Sequence, residues 1–259
     1  MQKIIALYKP IGKTPFEMIN HLRATDPDFK KVKIGYAGRL DPLAHGVLLL
    51  MIGEETKKRI NYLSLPKSYE FTVCFGLRTD TYDTLGLVQN QTIQQPGNDV
   101  NIFVKKFVKN YKGKIIMNYP PYSSKPVNGK PLFWWARNNK LKEIVIPKHE
   151  IEIFEFHCSA IDDMTITTLK QKINASNNTI QGDFRQKEIE KRWDQLFSNT
   201  DHNLGLKTAT FSITCSSGTY IRELANAMGQ ELGCGAIAID ILRTAVGKFS
   251  IKKAVHIIA

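Results

Sequence analysis

The sequence contains few cysteines, and none of them has the spacing of a metal site. Four occur in 259 residues, with no C-x-x-C pair and no histidine at metal-ligand spacing from any of them. Cys74, Cys158 and Cys215 fall in stretches that resemble β-strands. We therefore expect buried free thiols and no metal site.

The sequence also lacks a long apolar run. The longest clean candidate, residues 47–52, is far shorter than the roughly 18 residues that a membrane helix needs. The N-terminus has too short an apolar part for a signal peptide and lacks the Arg and Ser richness of a transit peptide. Because no G-x-G-x-x-G or Walker pattern occurs, a nucleotide cofactor is not expected either. These absences predict a cytoplasmic protein without a membrane segment or cofactor.

Positive charge is in excess, with 36 Lys and Arg against 24 Asp and Glu and a net charge of +12. Such a surplus favours a polyanionic partner, because each neutralised phosphate releases counterions. Residues 161–207 differ, since they are rich in Asn, Gln, Thr and Ser and their seven basic residues balance seven acidic ones. We therefore expect this segment to pack on the domain or on a partner rather than to bind the polyanion.

Three helices are predicted from local signals. Thr14, Pro15 and Glu17 form the pattern of a helix start with a capping box. Residues 103–114 interleave apolar residues with lysines, which predicts an amphipathic helix with a solvated basic face. A third helix should end at Gly233, with an apolar face formed by Ile221, Leu224, Met228 and Leu232.

Period-two alternation in residues 69–75 and 209–215 predicts half-buried strands. Because strands and helices alternate irregularly, we expect an α+β domain around a mixed, largely antiparallel sheet flanked by helices. The 161–207 segment is interpreted as an insertion that carries one short helix, with a face formed by Ile189, Trp193, Leu196 and Phe197.

A single carboxylate stands out in the glycine-rich stretch 35–46. Asp41 lies between Gly38 and Gly46, and Pro42 stiffens the backbone directly after it. A carboxylate held in this way is suited to nucleophilic attack or proton transfer. An ordinary Asx turn would explain the same spacing, so the residues alone leave both interpretations open.

Residues 35–48 closely resemble the signature loop of TruB-type tRNA pseudouridine synthases, which centres on a G-x-L-D-P-x-A-x-G pattern. The resemblance spans residues 8–250 apart from 161–207. Further matching motifs occur in the family's order: Lys9-Pro10, residues 53–57, 67–69 and 76–81, Asp83, Gly86, residues 121–123, 215–222 and 232–236, and Leu242-Arg243.

The resemblance implies a pseudouridine synthase fold and three catalytic residues. Asp41 would be the nucleophile that lets the uracil detach, rotate and rejoin through C5; attack on the base and attack on the ribose both stay open. Tyr69 would stack on the flipped base and assist proton transfer, although its pattern also fits a core aromatic. Arg222 would pair with Asp41 and keep it ionised and oriented, although a surface ion pair would fit as well.

Five further residues would contact the RNA. Tyr220 and Leu242 would line the uracil pocket, and Tyr36, where the family commonly has His, would fill the gap left by the flipped base. Lys9 and Lys57 would contact the RNA backbone or support the loop. Residues 120–137 correspond to the family's RNA-gripping thumb, with Lys125, Lys130, Arg137, Trp134 and Trp135.

The implied substrate is tRNA, at uridine 55 of the T-arm, bound by a monomer with no metal or cofactor. We expect residues 1–259 to form a single catalytic domain without the C-terminal PUA domain of many relatives. The main alternative is a non-catalytic tRNA-binding or tRNA-folding protein on the same scaffold. A guide-RNA-dependent synthase is disfavoured by the short C-terminus, and a metal- or nucleotide-dependent enzyme by the missing motifs.

Overall fold

The computed structural model describes residues 4–97, 99–182, 184–201 and 204–256. The two ends of the expected 1–259 domain, and residues 183, 202 and 203 of the 161–207 segment, lie outside these residues. The strands in the described residues are β1 (Ile4–Lys9), β2 (Ile34–Ala37), β3 (His45–Ile52), β4 (Lys67–Phe75), β5 (Gly113–Asn118), β6 (Pro126–Val127), β7 (Lys130–Pro131), β8 (Lys148–Thr165), β9 (Gly205–Cys215), β10 (Ala236–Val246) and β11 (Phe249–Ser250). The helices are α1 (Pro15–Thr25), α2 (Arg59–Leu63), α3 (Val100–Asn110), α4 (Leu132–Arg137), α5 (Ile166–Thr179), α6 (Gln186–Ser198) and α7 (Ile221–Leu232).

A mixed sheet in the order β1-β3-β10-β4-β9-β8-β5 forms the centre of the fold. Strand β2 pairs with β3, and β11 pairs with β10. Every pairing is antiparallel except the short one between β3 and β10, where His45 lies opposite Leu242 and Gly46 opposite Arg243. The expected α+β class with a mixed, largely antiparallel sheet is confirmed.

The three predicted helices are confirmed, although both ends of the basic amphipathic helix differ from the prediction. Thr14 accepts a hydrogen bond from the Glu17 amide and Glu17 reciprocates, so the capping box at the start of α1 is complete. Gly233 ends α7 with φ 85°, in the left-handed region that favours glycine. The basic amphipathic helix begins at Val100 rather than 103 because Asp99 caps its first amides, and it ends before β5.

The expectation of one short helix in residues 161–207 is wrong. The first and last residues of this segment extend β8 and β9, and two helices, α5 and α6, lie between them. The expected α6 face is confirmed, since Ile189, Trp193, Leu196 and Phe197 are all buried. They pack in a cluster with apolar residues of the sheet and its loops, namely Cys74, Leu77, Val88, Ile237 and Ile239. The segment is therefore part of the domain's own packing.

The main core lies on the other side, where α1, α3 and α7 cover the sheet. Cys74, Cys215 and Cys234 are buried and Cys158 is half-buried, all as free thiols, as expected. Among the described residues, no helix is both long and apolar enough to span a membrane.

Candidate active site

A cleft of about 590 Å³ opens beside the carboxylate loop. Its walls come from parts of the chain that are distant in sequence: residues 14–15, residues 38–44 between β2 and β3, the start of β4, residues 81–85, residues 122–137, Phe184, residues 216–222 and β10. The volume is in the range of pockets that bind drug-sized ligands, which includes the size of a nucleoside.

Asp41 and Arg222 form an ion pair on the floor of this cleft. The Arg222 Nε and Nη2 atoms both lie 2.8 Å from the Asp41 Oδ2 atom. The Asp41 side chain is 34% exposed, whereas that of Arg222 is only 4% exposed. The carboxylate therefore faces the space where a ligand would lie, and the guanidinium supports it from behind.

Two backbone carbonyls and a second carboxylate complete the surroundings of Arg222. Its Nη1 donates to the Thr81 carbonyl at 2.6 Å and its Nη2 to the Tyr122 carbonyl at 3.2 Å. The Asp83 Oδ2 atom lies 3.6 Å from its Nε. Burial raises the pKa of Asp83 to about 6, against the opposing effects of Arg222 and the Thr81 hydroxyl. Of the two carboxylates on Arg222, only Asp41 is accessible.

Arg243 holds the backbone of the Asp41 loop through hydrogen bonds to its carbonyls. It is buried, and its guanidinium donates to the carbonyls of Val47 at 2.7 Å, Gly38 at 3.0 Å and Arg39 at 3.4 Å. Gly46 closes the loop with φ 103°, and a Cβ there would collide with the Arg243 carbonyl. The glycine at this position is therefore required by both conformation and space.

Tyr69 lies on β4 with its ring in the cleft wall and is only 9% exposed. It also belongs to the main core cluster, so both interpretations of this tyrosine fit the structure. Burial raises the pKa of its phenol, and Arg243 acts in the opposite direction. The hydroxyl group is therefore protonated at neutral pH and can donate a hydrogen bond.

Tyr220 lines the cleft directly before α7, and its ring meets that of Tyr119 edge to face with centroids 5.7 Å apart. Lys67 also lines the cleft, although its ammonium donates to the carbonyls of Leu63 and Leu65. Burial lowers the pKa of Lys67 to about 8. In the part of the chain that the structure describes, the cleft thus combines aromatic rings with one open carboxylate, that of Asp41.

Leu242 does not line the cleft, contrary to its expected role. Its neighbours Ile241 and Arg243 do. Successive side chains of a strand point to opposite faces, so Leu242 lies on the other side of β10. The expected pocket contact at this strand is corrected to Ile241.

The remaining expected RNA contacts lie outside the cleft walls. Lys9 is fully buried and its ammonium donates to the carbonyls of Pro10 and Lys13, both at 2.8 Å, which fits support of a loop and not contact with RNA. Lys57 is exposed and pairs with Glu54. Tyr36 is half-buried on β2 and packs against the main core.

Residues 122–124 and the α4 residues Phe133 and Arg137 form one side of the cleft, and the small β6–β7 hairpin lies between them in the chain. Ser124 accepts a hydrogen bond from Arg39 at 2.9 Å, which joins this segment to the Asp41 loop. Lys130 lies 3.5 Å above the Trp134 ring, and the Trp135 indole donates to the Val127 carbonyl. The tryptophan pair therefore stabilises the hairpin.

The residues of the site that received no role from the sequence include Lys67, Asp83, Phe184 and Arg243. Lys67, Asp83 and Arg243 belong to motifs that match the family, so the motif signal was present without a role. Phe184 belongs to the 161–207 segment and had no signal.

Comparison with known proteins points to one family. A family model described as "TruB family pseudouridylate synthase (N terminal domain)" matches residues 27–181. The tRNA pseudouridine synthase B of Lactobacillus delbrueckii subsp. bulgaricus is 31% identical over 253 residues, which cover 97% of this chain and 70% of that protein. The tRNA pseudouridine synthase B of Caldicellulosiruptor saccharolyticus is 29% identical over 259 residues, 98% of this chain and 70% of that protein.

Among solved structures, a chain of a Cbf5-Nop10-Gar1 complex has a TM-score of 0.60 and 18% identity. The similarity covers 98% of this chain and 52% of that chain, so this chain spans about half of that protein's length. At this identity the likeness is one of fold. With a family model matched over more than half of its length and relatives near 30% identity, the chain belongs to the TruB family of pseudouridylate synthases.

Proposed function

We propose that this protein isomerises uridine to pseudouridine in tRNA, at uridine 55 of the T-arm, with Asp41 as the nucleophile. One observation carries the proposal. Asp41 is the open carboxylate of the cleft, and a buried Arg222 holds it in place through contacts of 2.8 Å. Family membership supports the type of reaction, and the geometry of the cleft supports Asp41 as the residue that attacks.

The reaction needs the target base outside the RNA stack. An enzyme that acts on a stacked base must extrude it into a pocket that contacts its face and edge. The cleft provides the rings of Tyr69 and Tyr220 and the apolar side chain of Ile241 beside Asp41. Extrusion is least costly in RNA loops, whose bases are already partly unstacked.

Asp41 then attacks the extruded nucleoside and the N1–C1′ glycosidic bond breaks. The uracil rotates within the cleft and forms a bond between its C5 and the ribose C1′. The C5 proton leaves, N1 gains a proton, and the bond to Asp41 breaks, so the product is an isomer of the substrate. The Tyr69 hydroxyl lines the cleft and is protonated at neutral pH, as a phenol of ordinary or raised pKa is, so it can donate in this proton transfer.

tRNA is supported as the substrate by two independent observations. The curated relatives with the identities given above are named tRNA pseudouridine synthase B. The net charge of +12 favours a polyanionic partner. The likeness to a Cbf5 chain is one of fold at 18% identity and gives no comparable support for a guide-RNA-dependent reaction.

The test is release of tritium from a tRNA transcript labelled at C5 of uridine. The wild-type protein should release tritium from a transcript with uridine at position 55 and none from a transcript with cytidine there. Binding without release from either transcript would favour the non-catalytic alternative. Equal release from both would place the target elsewhere in tRNA.

A further inference from the structure

Phe184 brings an aromatic ring from the 161–207 segment into the wall of the cleft. It lies just before α6 and is half-buried. Among the described residues, it belongs to none of the three apolar clusters that form the cores. An apolar ring that faces a cleft and stabilises no core is available to a ligand.

The next residue, Arg185, fixes this ring in place. Its guanidinium pairs with the Asp80 carboxylate, with Nη1 2.7 Å from Oδ2 and Nη2 3.4 Å from Oδ1. It also lies 4.7 Å from the centroid of the Tyr122 ring. Because both side chains of the ion pair are only about one fifth exposed, the pair is largely shielded from solvent.

The contacts of Arg185 join the turn to the catalytic pair. Asp80 directly precedes Thr81, and the carbonyls of Thr81 and Tyr122 accept hydrogen bonds from Arg222. The Arg185 backbone has φ 63°, a strained conformation for a residue with a side chain. Its carbonyl accepts the first hydrogen bond of α6, from Ile189. The turn at Arg185 is thus held by the side-chain contact with Asp80 and by the backbone hydrogen bond to α6, and not by the backbone preference of arginine.

We propose that Phe184 is a nucleotide-contacting residue, which stacks on a base of the RNA next to the extruded uridine, and that Arg185 positions it. The inference rests on the proposed function, since it needs RNA in the cleft. Aromatic side chains are the usual partners of unstacked bases, because every base offers a flat face. The 161–207 segment, which carries no net charge, would then contribute to RNA binding by stacking and not by charge.

The test compares variants of the full-length protein in the tritium-release assay with a tRNA transcript. Phe184→Ala should raise KM about 5- to 150-fold, the range expected for loss of one stacked base, with little change in kcat. Phe184→Tyr should keep the KM of the wild type, and Phe184→Leu, which is apolar but not flat, should behave like Phe184→Ala. Phe154→Ala is the matched control, because Phe154 is 49% exposed and lies outside the cleft walls.

Arg185→Gln tests the positioning role. As a single substitution it should raise KM. In a Phe184→Ala background it should raise KM further by less than about twofold, because the effects of residues that act together are not additive. Independent, multiplicative effects would overturn the positioning role. A wild-type KM for Phe184→Ala or Phe184→Leu would overturn the stacking role while the proposed function stands. Absence of tritium release by the wild type would instead overturn the proposed function itself.

Discussion

Replacing Asp41 with Asn distinguishes a catalytic role of this carboxylate from a structural one. Asn keeps the size of the side chain but cannot act as an anionic nucleophile. The chain offers a matched comparison in Asp83→Asn, since both carboxylates lie against the Arg222 guanidinium and only Asp41 is open to the cleft. Each variant thus replaces one carboxylate near the Nε atom of the same arginine with a neutral amide.

The structure sets the expected magnitudes. In Asp41→Asn, Arg222 keeps Asp83 and the carbonyls of Thr81 and Tyr122. Because Asp41 is 34% exposed, solvent screens part of its attraction to Arg222, so the free energy of unfolding should fall by no more than about 1 kcal/mol. Turnover should fall more than about a thousandfold, as is typical when a nucleophile is removed.

Asp83→Asn should lower turnover less than Asp41→Asn does. The Asp83 side chain is only 6% exposed and lies 3.6 Å from the Arg222 Nε atom, so its loss should lower turnover no more than about tenfold, equivalent to about 1.4 kcal/mol. Both variants should bind tRNA with affinity near that of the wild type. Tritium release, tRNA binding and urea unfolding of the same preparations provide the comparison. Turnover by Asp41→Asn close to the wild type, or an equal loss in both variants, would refute the assignment of Asp41.

Tyr69→Phe should keep tRNA binding, since the ring remains, and lower turnover by about a hundredfold or more if the hydroxyl transfers a proton; equal turnover would assign Tyr69 to stacking alone. Gly46→Ala should cost at least about 2 kcal/mol in the free energy of unfolding, because φ is 103° and the new Cβ meets the Arg243 carbonyl, whereas Gly97→Ala, with open space around it, should cost under about 0.5 kcal/mol. Burial lowers the pKa of Lys9 to about 7, so between pH 7 and the ordinary lysine pKa the unfolded chain binds more protons than the folded one. The free energy of unfolding of the wild type should therefore rise with pH above 7 relative to Lys9→Met; a pH-independent difference between the two urea midpoints would contradict this.

Local elements of the fold were predictable from the sequence because their signals are local. The capping box of Thr14 and Glu17, the alternation in β4 and the glycine at the end of α7 each depend on residues a few positions apart. The pairing of Asp41 with Arg222, 181 residues away, followed from the family resemblance and not from any local pattern.

Side-chain direction and burial were harder to predict. Ile241 and Arg243 share one face of β10, which places Ile241, and not Leu242, in the cleft, and the sequence motif alone did not show which face this is. For Lys9 the resemblance leaves RNA contact and loop support both open, and the structure places it at a buried position where two carbonyls accept hydrogen bonds from its ammonium, which fits loop support. The contact of Arg185 with Asp80 spans 105 residues and depends on how α6 packs on the sheet. Such contacts depend on tertiary packing, which no short window of sequence contains.

The clamp of Arg243 on the Asp41 loop has a consequence for the order of events during biosynthesis. Gly38 and Arg243 are separated by 205 residues, so the loop leaves the ribosome long before the arginine that holds it. Strand β3 can pair early with β1 and β2, but its parallel partner β10 is among the last strands to be made. Contacts of such long separation form late in folding, because the loop between them must close first. The Asp41 loop of a nascent chain therefore reaches its native conformation only after β10, and with it most of the domain, has been synthesised.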